Sequence, residues 1–179
     1  YSLILEEHTR LYDNYEPLDE ETEGKWSDYI VETLSHAGFH RYEVSNFALG
    51  NHESEHNKVY WHYDNYYGVG IGATGKIDDE LISHSRSLTD YLKGKNTIYI
   101  EKETIEDTMF NYLMMSLRLK EGLDLDEFKR RYHCSVEDVY KEALTKNLGN
   151  HSLIIENNHL KTNDTLDLLN SILLDFLPE

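Results

Sequence analysis

Apolar and polar positions alternate in two different ways along the chain, and the change falls near residue 100. Ahead of it, two short segments that are predicted to be strands, at residues 1–5 and 41–45, flank an amphipathic segment. That segment is predicted to be a helix that begins after Asp19 and ends before Gly38. Strand, helix and strand in this order are typical of a βα crossover in a parallel sheet. We therefore expect residues 1–100 to form an α/β domain. Because the first strand begins at the first residue, we also expect the chain to be part of a longer protein.

The remainder of this first part has weaker patterns. Residues 48–64 are polar and rich in histidine, which predicts a long loop, and loops of that length usually carry function. Residues 66–73 are predicted to be a glycine-rich strand whose backbone is closely approached by another group. A short excursion around 76–84 and a short helix over 87–92 complete this part.

After residue 100 the pattern is mostly helical. Thr104 and Asp107 have the spacing of a capping box at the start of a long helix. A short helix follows around Leu125, and Ser135 is expected to cap a third helix that ends at Gly149. Two short strands then flank a turn at residues 157–158, and a last helix contains Leu166 and Phe176. Residues 101–179 are therefore predicted to be a small α+β, winged-helix-like domain.

Charge and cysteine content narrow the functional classes. The chain has 34 acidic and 17 basic residues, a net charge of −17, which disfavours binding to nucleic acid or to an anionic membrane surface. Residues 101–179 alone hold 9 basic and 16 acidic residues, so we expect this winged-helix-like domain to have a packing or lid role rather than to bind DNA. A single cysteine, Cys134, excludes an internal disulfide and indicates a reducing, cytoplasmic location. No apolar run approaches the roughly 20 residues of a membrane span.

One motif match suggests a zinc hydrolase. His52, Glu53 and His56 fit the HExxH pattern, in which two imidazoles one helical turn apart hold zinc and the glutamate activates a bound water. The surrounding residues lack an apolar helical face, so we favour a chance match, with zinc hydrolysis as an alternative function.

Residues 70–75 fit GxGxxG, the dinucleotide-binding pattern. No convincing helix follows Gly75, which disfavours nucleotide binding in that mode. Two interpretations stay open: a ligand lying against bare backbone, or a crowded strand of a barrel.

The segment His56-Asn57-Lys58-Val59-Tyr60-Trp61 is the most specific feature of the chain. A histidine on a mobile loop can bind heme iron, and two neighbouring aromatic side chains can flank a porphyrin. The simpler interpretation is that Tyr60 and Trp61 anchor the loop to the core while His56 caps a turn.

This segment, together with residues 42–48 (YEVSNFA) and 66–73 (YYGVGIGA), resembles the oxygen-independent coproporphyrinogen III oxidase family of radical S-adenosylmethionine proteins, the HemN/HemW family. Within it, the heme chaperone branch is the more similar. The resemblance implies the end of a partial (β/α) barrel, followed by the family's HemN C-terminal domain. It also implies a [4Fe-4S] cluster and S-adenosylmethionine in the full-length protein. The CxxxCxxC cluster motif is absent here, so this chain alone is expected to be inactive.

The resemblance also implies site residues and partners. His56, Asn57, Tyr60 and Trp61 match the motif associated with heme, with His56 as the candidate iron ligand, whereas Ile4, Gly72, Ala73 and Thr74 match the edge of the S-adenosylmethionine pocket. The implied function is heme binding and transfer to an acceptor protein; the alternative is oxidative decarboxylation of coproporphyrinogen III. An unpaired barrel edge near Leu3 and Leu5 predicts self-association.

Overall fold

The computed structural model describes Leu5 and residues 7–15, 18–164 and 166–177. The chain forms two compact units, Tyr1–Glu53 and Ser54–Glu179. Most of the predicted first strand, including Leu3 and Ile4, lies outside the described residues. The domain boundary near residue 100 and the self-association through this edge stay predictions.

In the first unit, helix α1 (Glu20–His36) starts and stops where the sequence predicts. The Asp19 side chain accepts a hydrogen bond from the Thr22 amide (2.9 Å), and Gly38 follows the helix with φ +85°. The predicted apolar face, with Trp26 and Tyr29, is exposed. Strands β1 (Phe39–Arg41) and β2 (Phe47–Leu49) then form an antiparallel pair.

The predicted strand at residues 41–45 is formed only in part: Arg41 ends β1, Glu43 makes a single bridge, and the chain bends at residues 44–45. Tyr42 donates its amide to the carbonyl of Asn46 (3.2 Å), and the buried carboxylate of Glu43 accepts the amide of Ser45 (2.9 Å). A carboxylate that binds a nearby backbone amide competes with strand pairing. The predicted parallel pairing involves residues 1–5, most of which lie outside the described residues.

The second unit begins with helix α2 (Glu55–Trp61), where the sequence predicted a long loop over 48–64. Ser54 caps it by accepting a hydrogen bond from the Asn57 amide (3.3 Å). None of its residues is buried, so it has no apolar periodicity by which the pattern could be recognised.

A three-stranded antiparallel sheet follows, in the order β3-β4-β5. Its strands are β3 (Thr74–Ile77), β4 (Glu80–His84) and β5 (Ile98–Lys102), with the predicted short helix α3 (Leu88–Leu92) between the last two. The predicted strand at 66–73 is wrong: among these residues only Tyr66 pairs with β3, by a single bridge to Lys76.

Crowding within the protein explains two of these glycines, Gly68 and Gly75, whereas Gly70 and Gly72 adopt positive φ (+101° and +67°). A Cβ on Gly68 would lie 2.5 Å from the carbonyl carbon of Thr74, and one on Gly75 would lie 2.6 Å from the amide nitrogen of Gly68. Gly75 continues into β3 rather than into a helix, which confirms that the GxGxxG match is not a dinucleotide-binding turn.

The rest of the second unit has the predicted order of helices and strands. Thr104 and Asp107 form the predicted capping box of α4, and Asn157 and Asn158 adopt positive φ at the predicted hairpin turn. The elements are α4 (Ile105–Ser116), β6 (Leu123–Asp124), α5 (Leu125–Tyr132), α6 (Val136–Val139), α7 (Lys141–Gly149), β7 (Leu153–Glu156), β8 (His159–Thr162) and α8 (Leu169–Leu173), the last lying between two 3-10 turns. The strands pair in the order β6-β8-β7.

This region holds a well-packed apolar core. Its largest fully buried side chains include Phe128, Phe176, Leu113, Leu123, Leu153 and Leu160. The single helix predicted after Ser135 is broken at Tyr140 (φ −119°), whose ring packs against Phe176 (5.5 Å between centroids). Within the described part of the chain, no helix combines the length and apolar character needed to cross a membrane.

Candidate functional site

Helix α2 presents the side chain of His56 to solvent. The imidazole Nε2 lies 3.0 Å from the hydroxyl of Tyr60, one helical turn further along, and the two rings meet edge to face with centroids 5.0 Å apart. One ring nitrogen of a neutral imidazole donates and the other accepts, so this bond occupies one of the two nitrogens. The site is therefore an accessible imidazole with a phenol as its only hydrogen-bonding partner among the described residues.

The Tyr60 ring is itself held in place by Tyr66. The two rings meet edge to face with centroids 4.6 Å apart. Tyr66 exchanges two backbone hydrogen bonds with Lys76 in β3, both 2.9 Å, and burial raises the pKa of its phenol. The rings of His56, Tyr60 and Tyr66 thus pack in a row, and Tyr66 connects this row to the sheet through its backbone bonds to β3.

Trp61 occupies a different position from the one expected of it. It follows Tyr60 by one residue, which places it about 100° further round the helix. The guanidinium of Arg118 lies over its ring at 5.1 Å, and its carbonyl accepts a hydrogen bond from the Ser116 hydroxyl (3.4 Å). Tyr60 is thus beside the imidazole, whereas Trp61 contacts α4 and the residues that follow it. Asn57 contributes its amide to the cap of α2.

Directly after α2, a buried polar cluster holds the chain to α4. Tyr63 donates its hydroxyl to the carboxylate of Glu103 (2.5 and 2.6 Å), and Asn111 donates to the same carboxylate (2.6 Å). The ammonium of Lys76 lies 4.1 Å from the centre of the Tyr63 ring. Burial raises the pKa of Tyr63, and the negative charge of Glu103 raises it further. Burial lowers the pKa of Lys76, and the charge of Glu103 opposes this effect. Sequence analysis missed this cluster because its members are far apart in the chain.

Among the described residues of the second unit, two clefts can be named that His56 does not line. The first, of about 390 Å³, is lined mainly by polar side chains, and two of its charged groups, Asp64 and Arg131, pair with each other. A third, Asp79, pairs with Lys102, which is not among the lining residues. The second, of about 470 Å³, has apolar walls that include Met109, Phe110, Tyr140 and Phe176.

The geometry disfavours a zinc-hydrolase site. Helix α2 begins at Glu55, so His52 precedes the helix and cannot be one turn from His56 on it. Glu53 instead places a carboxylate oxygen 2.9 Å from Nε2 of His40. Among the described residues, no group of three or more histidine, cysteine, aspartate or glutamate side chains is placed to hold a metal ion.

The residues expected at the edge of an S-adenosylmethionine pocket lie at the start of β3. The amide of Gly72 donates to the carbonyl of Ser85 (3.1 Å), and the hydroxyls of Thr74 and Ser83 are 3.0 Å apart. The carbonyl of Ala73 accepts the amide of His84 (2.9 Å), whereas Ile4 lies outside the described residues. The polar groups of this segment thus bind neighbouring backbone and side chains, and its place in such a pocket stays a prediction.

Comparisons with known proteins agree in pointing to one family. Residues 104–165 match the family model of the HemN C-terminal domain. The heme chaperone HemW of Lactococcus lactis is 31% identical over 190 aligned residues, covering 99% of this chain and 49% of that protein. HemW of Bacillus subtilis is 28% identical, covering 86% of this chain and 43% of that protein. The mitochondrial radical S-adenosyl methionine domain-containing protein 1 of Danio rerio is 43% identical over 83 residues, covering 43% of this chain and 18% of that protein.

A solved structure has the same fold. Coproporphyrinogen III oxidase (HemN) from Escherichia coli, a radical SAM enzyme, matches with a TM-score of 0.68 and 14% identity, covering 89% of this chain and 42% of that chain. The present chain thus spans about half the length of the relatives that it matches. The α/β fold with a HemN C-terminal domain is confirmed.

Proposed function

Because this chain belongs to the HemN/HemW family, we propose that it is the C-terminal part of a heme chaperone, in which His56 binds the iron of heme that is later passed to an acceptor protein. The observation that carries the proposal is the exposed imidazole of His56 on α2, inside the HNxxYW motif. Histidine imidazole holds the heme iron of globins and peroxidases.

The openness of the site suits a carrier rather than a permanent heme protein. His56 is exposed and lines neither of the two clefts described above, so its imidazole can be reached directly from solvent. A ligand that is reached directly from solvent can also be reached by an acceptor protein. Heme held by His56 could therefore be approached by an acceptor protein without the opening of a closed pocket.

Tyr60 has two effects on the imidazole. Its ring restricts the orientation of His56 through their edge-to-face contact, and its hydroxyl occupies Nε2. Heme iron held at Nε2 would compete with this hydrogen bond, which would lower the affinity for heme and favour release.

The radical chemistry of the family requires residues outside this chain. A [4Fe-4S] cluster of this family is held by three thiolates of CxxxCxxC, and this chain has one cysteine, Cys134. The residues present therefore do not fit the cluster. S-adenosylmethionine, for which Gly72, Ala73 and Thr74 are candidate neighbours, is proposed as a cofactor of the full-length protein only.

The test is a heme titration of the full-length protein, comparing wild type with His56→Ala and with His52→Ala as a matched exposed-histidine control. We expect His56→Ala to shift the Soret band and to weaken binding at least tenfold, the loss typical of perturbing a metal ligand. His52→Ala should bind as wild type does. Unchanged spectra and affinity in His56→Ala would refute the proposal.

Oxidative decarboxylation of coproporphyrinogen III is the second candidate function. It is supported by the likeness of fold to the HemN oxidase. An anaerobic assay of the full-length protein for protoporphyrinogen distinguishes the two, because a chaperone forms none.

A further inference from the structure

Four consecutive residues at the end of α2 are held by a single region of the chain. Trp61, His62, Tyr63 and Asp64 all contact residues between 103 and 131. The helix that they terminate has only 7 residues and no buried side chain. A helix this short is not stable by itself, so its orientation depends on contacts made from outside it.

Arg131, in α5, makes the densest of these contacts. One terminal nitrogen of its guanidinium donates to the carbonyl of His62 (3.0 Å), and the other donates to the carboxylate of Asp64 (2.9 Å). Its Nε donates to Glu127 (2.6 Å), and the guanidinium lies over the ring of Tyr112 at 4.4 Å. Contacts with α4 and α5 thus fix the guanidinium of Arg131, which in turn binds the end of α2.

The contact at His62 has a specific physical meaning. The last carbonyls of a helix lack partners within the helix and carry partial negative charge. Arg131 supplies a positively charged donor to one of them, and the hydroxyl of Ser116 supplies a donor to the carbonyl of Trp61. Glu121 adds an outer contact to the imidazole of His62 (3.4 Å).

We propose that Arg131 is a positioning residue for heme binding: it holds the C-terminal end of α2 and so sets the direction in which His56 is presented. This inference rests on the proposed function of His56. Arg131 lies in the region that matches the HemN C-terminal domain. With this role, that region orients the proposed iron ligand instead of covering the site.

Arg130 provides a matched control, because it is the adjacent residue of the same helix and has the same charge. Its side chain is 71% exposed and pairs with Glu127, and no contact with α2 is found among the described residues. Arg131→Gln should therefore weaken heme binding by the full-length protein about tenfold, the range for outer contacts that orient metal ligands. Arg130→Gln should leave the affinity unchanged.

A combination with His56→Ala separates this inference from the proposed function. If His56→Ala weakens heme binding and Arg131→Gln does not, the positioning role is refuted and the proposed function stands. If both weaken binding, the double variant decides: no further loss beyond His56→Ala supports action through His56, whereas additive losses contradict it. If His56→Ala binds as wild type, the proposed function fails and the positioning role with it.

Asp64→Asn guards against a loss of folding in Arg131→Gln. It removes only the charge that meets one guanidinium nitrogen, at a half-exposed position. A smaller loss of heme affinity, of about twofold, with an unchanged melting temperature is expected.

A normal affinity in a correctly folded Arg131→Lys variant would contradict the proposal, because a lysine ammonium cannot span both partners.

Discussion

Helices α2 and α5 have nearly the same length, 7 and 8 residues, but are held in opposite ways. α5 buries Phe128 completely, and that ring packs against Tyr112 and Tyr132 with centroids 6.2 and 4.9 Å away. α2 buries none of its residues and is held through its last turn. The difference separates two roles: the buried contacts that stabilise the fold are concentrated around α5, and the proposed iron ligand lies on α2.

The largest predicted effect follows from the core around α5. Phe128→Ala should lower the free energy of unfolding by about 3–5 kcal/mol, because it leaves a cavity under a fully buried ring. His56→Ala, on the exposed side of α2, should change it by less than about 0.5 kcal/mol. Denaturant unfolding of both variants measures the contrast. Similar losses in the two would show that α2 contributes to the core.

The buried cluster behind α2 gives the next largest effect. Tyr63→Phe removes the hydroxyl that donates to the buried carboxylate of Glu103, so it should destabilise the protein by about 1–3 kcal/mol. Tyr67→Phe removes the same atom from a ring that is 86% exposed and should be neutral. Equal melting temperatures for the two variants would contradict the role of the cluster.

A smaller effect is expected at Tyr60, the hydrogen-bonding partner of the proposed iron ligand His56. Tyr60→Phe removes the hydroxyl that occupies Nε2 of His56, so heme should bind about fivefold more tightly, corresponding to one hydrogen bond of about 1 kcal/mol. Heme titration of this variant checks the expectation. Weaker binding would mean that the hydroxyl supports the bound imidazole instead of competing with iron.

The smallest effect concerns pH. Hydrogen bonds from Arg130, followed by those from Arg131, lower the pKa of Glu127 to about 2 although burial opposes them. A carboxyl with a depressed pKa stabilises the fold fully above its ordinary pKa of 4.5 and loses that contribution as the pH falls towards 2.

Glu127→Gln should therefore be less stable than wild type at pH 7, by about 1 kcal/mol or less because the pair is partly exposed. The difference should shrink between pH 5 and pH 2, the window set by these pKa values. Melting curves over this pH range test the expectation, with the exposed Glu142→Gln as control. A difference that is constant with pH would contradict it.

The elements that sequence analysis predicted correctly are those with local signals. Thr104 with Asp107 and Ser135 with Asp138 are capping boxes made by residues three apart, and Asn157 and Asn158 tolerate the positive φ of their turn. Such features are visible in any short window of the sequence.

The elements that it missed depend on distant residues. The sequence predicted a loop in place of α2. The contacts that hold the end of this helix are not visible in a short window, because Ser116 and Arg131 lie 55 and 69 residues from the carbonyls that they bind. Tyr140 breaks a helix that periodicity predicts to be continuous, and its ring packs against Phe176. For the same reason, the motif identified His56 as a candidate ligand but gave no sign of Arg131.

Chemical rescue of the iron ligand tests the central claim most directly. Replacing His56 with glycine leaves space for free imidazole beside Tyr60, so adding imidazole to the His56→Gly variant of the full-length protein should restore the wild-type Soret spectrum. A variant whose spectrum already equals that of wild type before imidazole is added would show that the iron is bound by another residue.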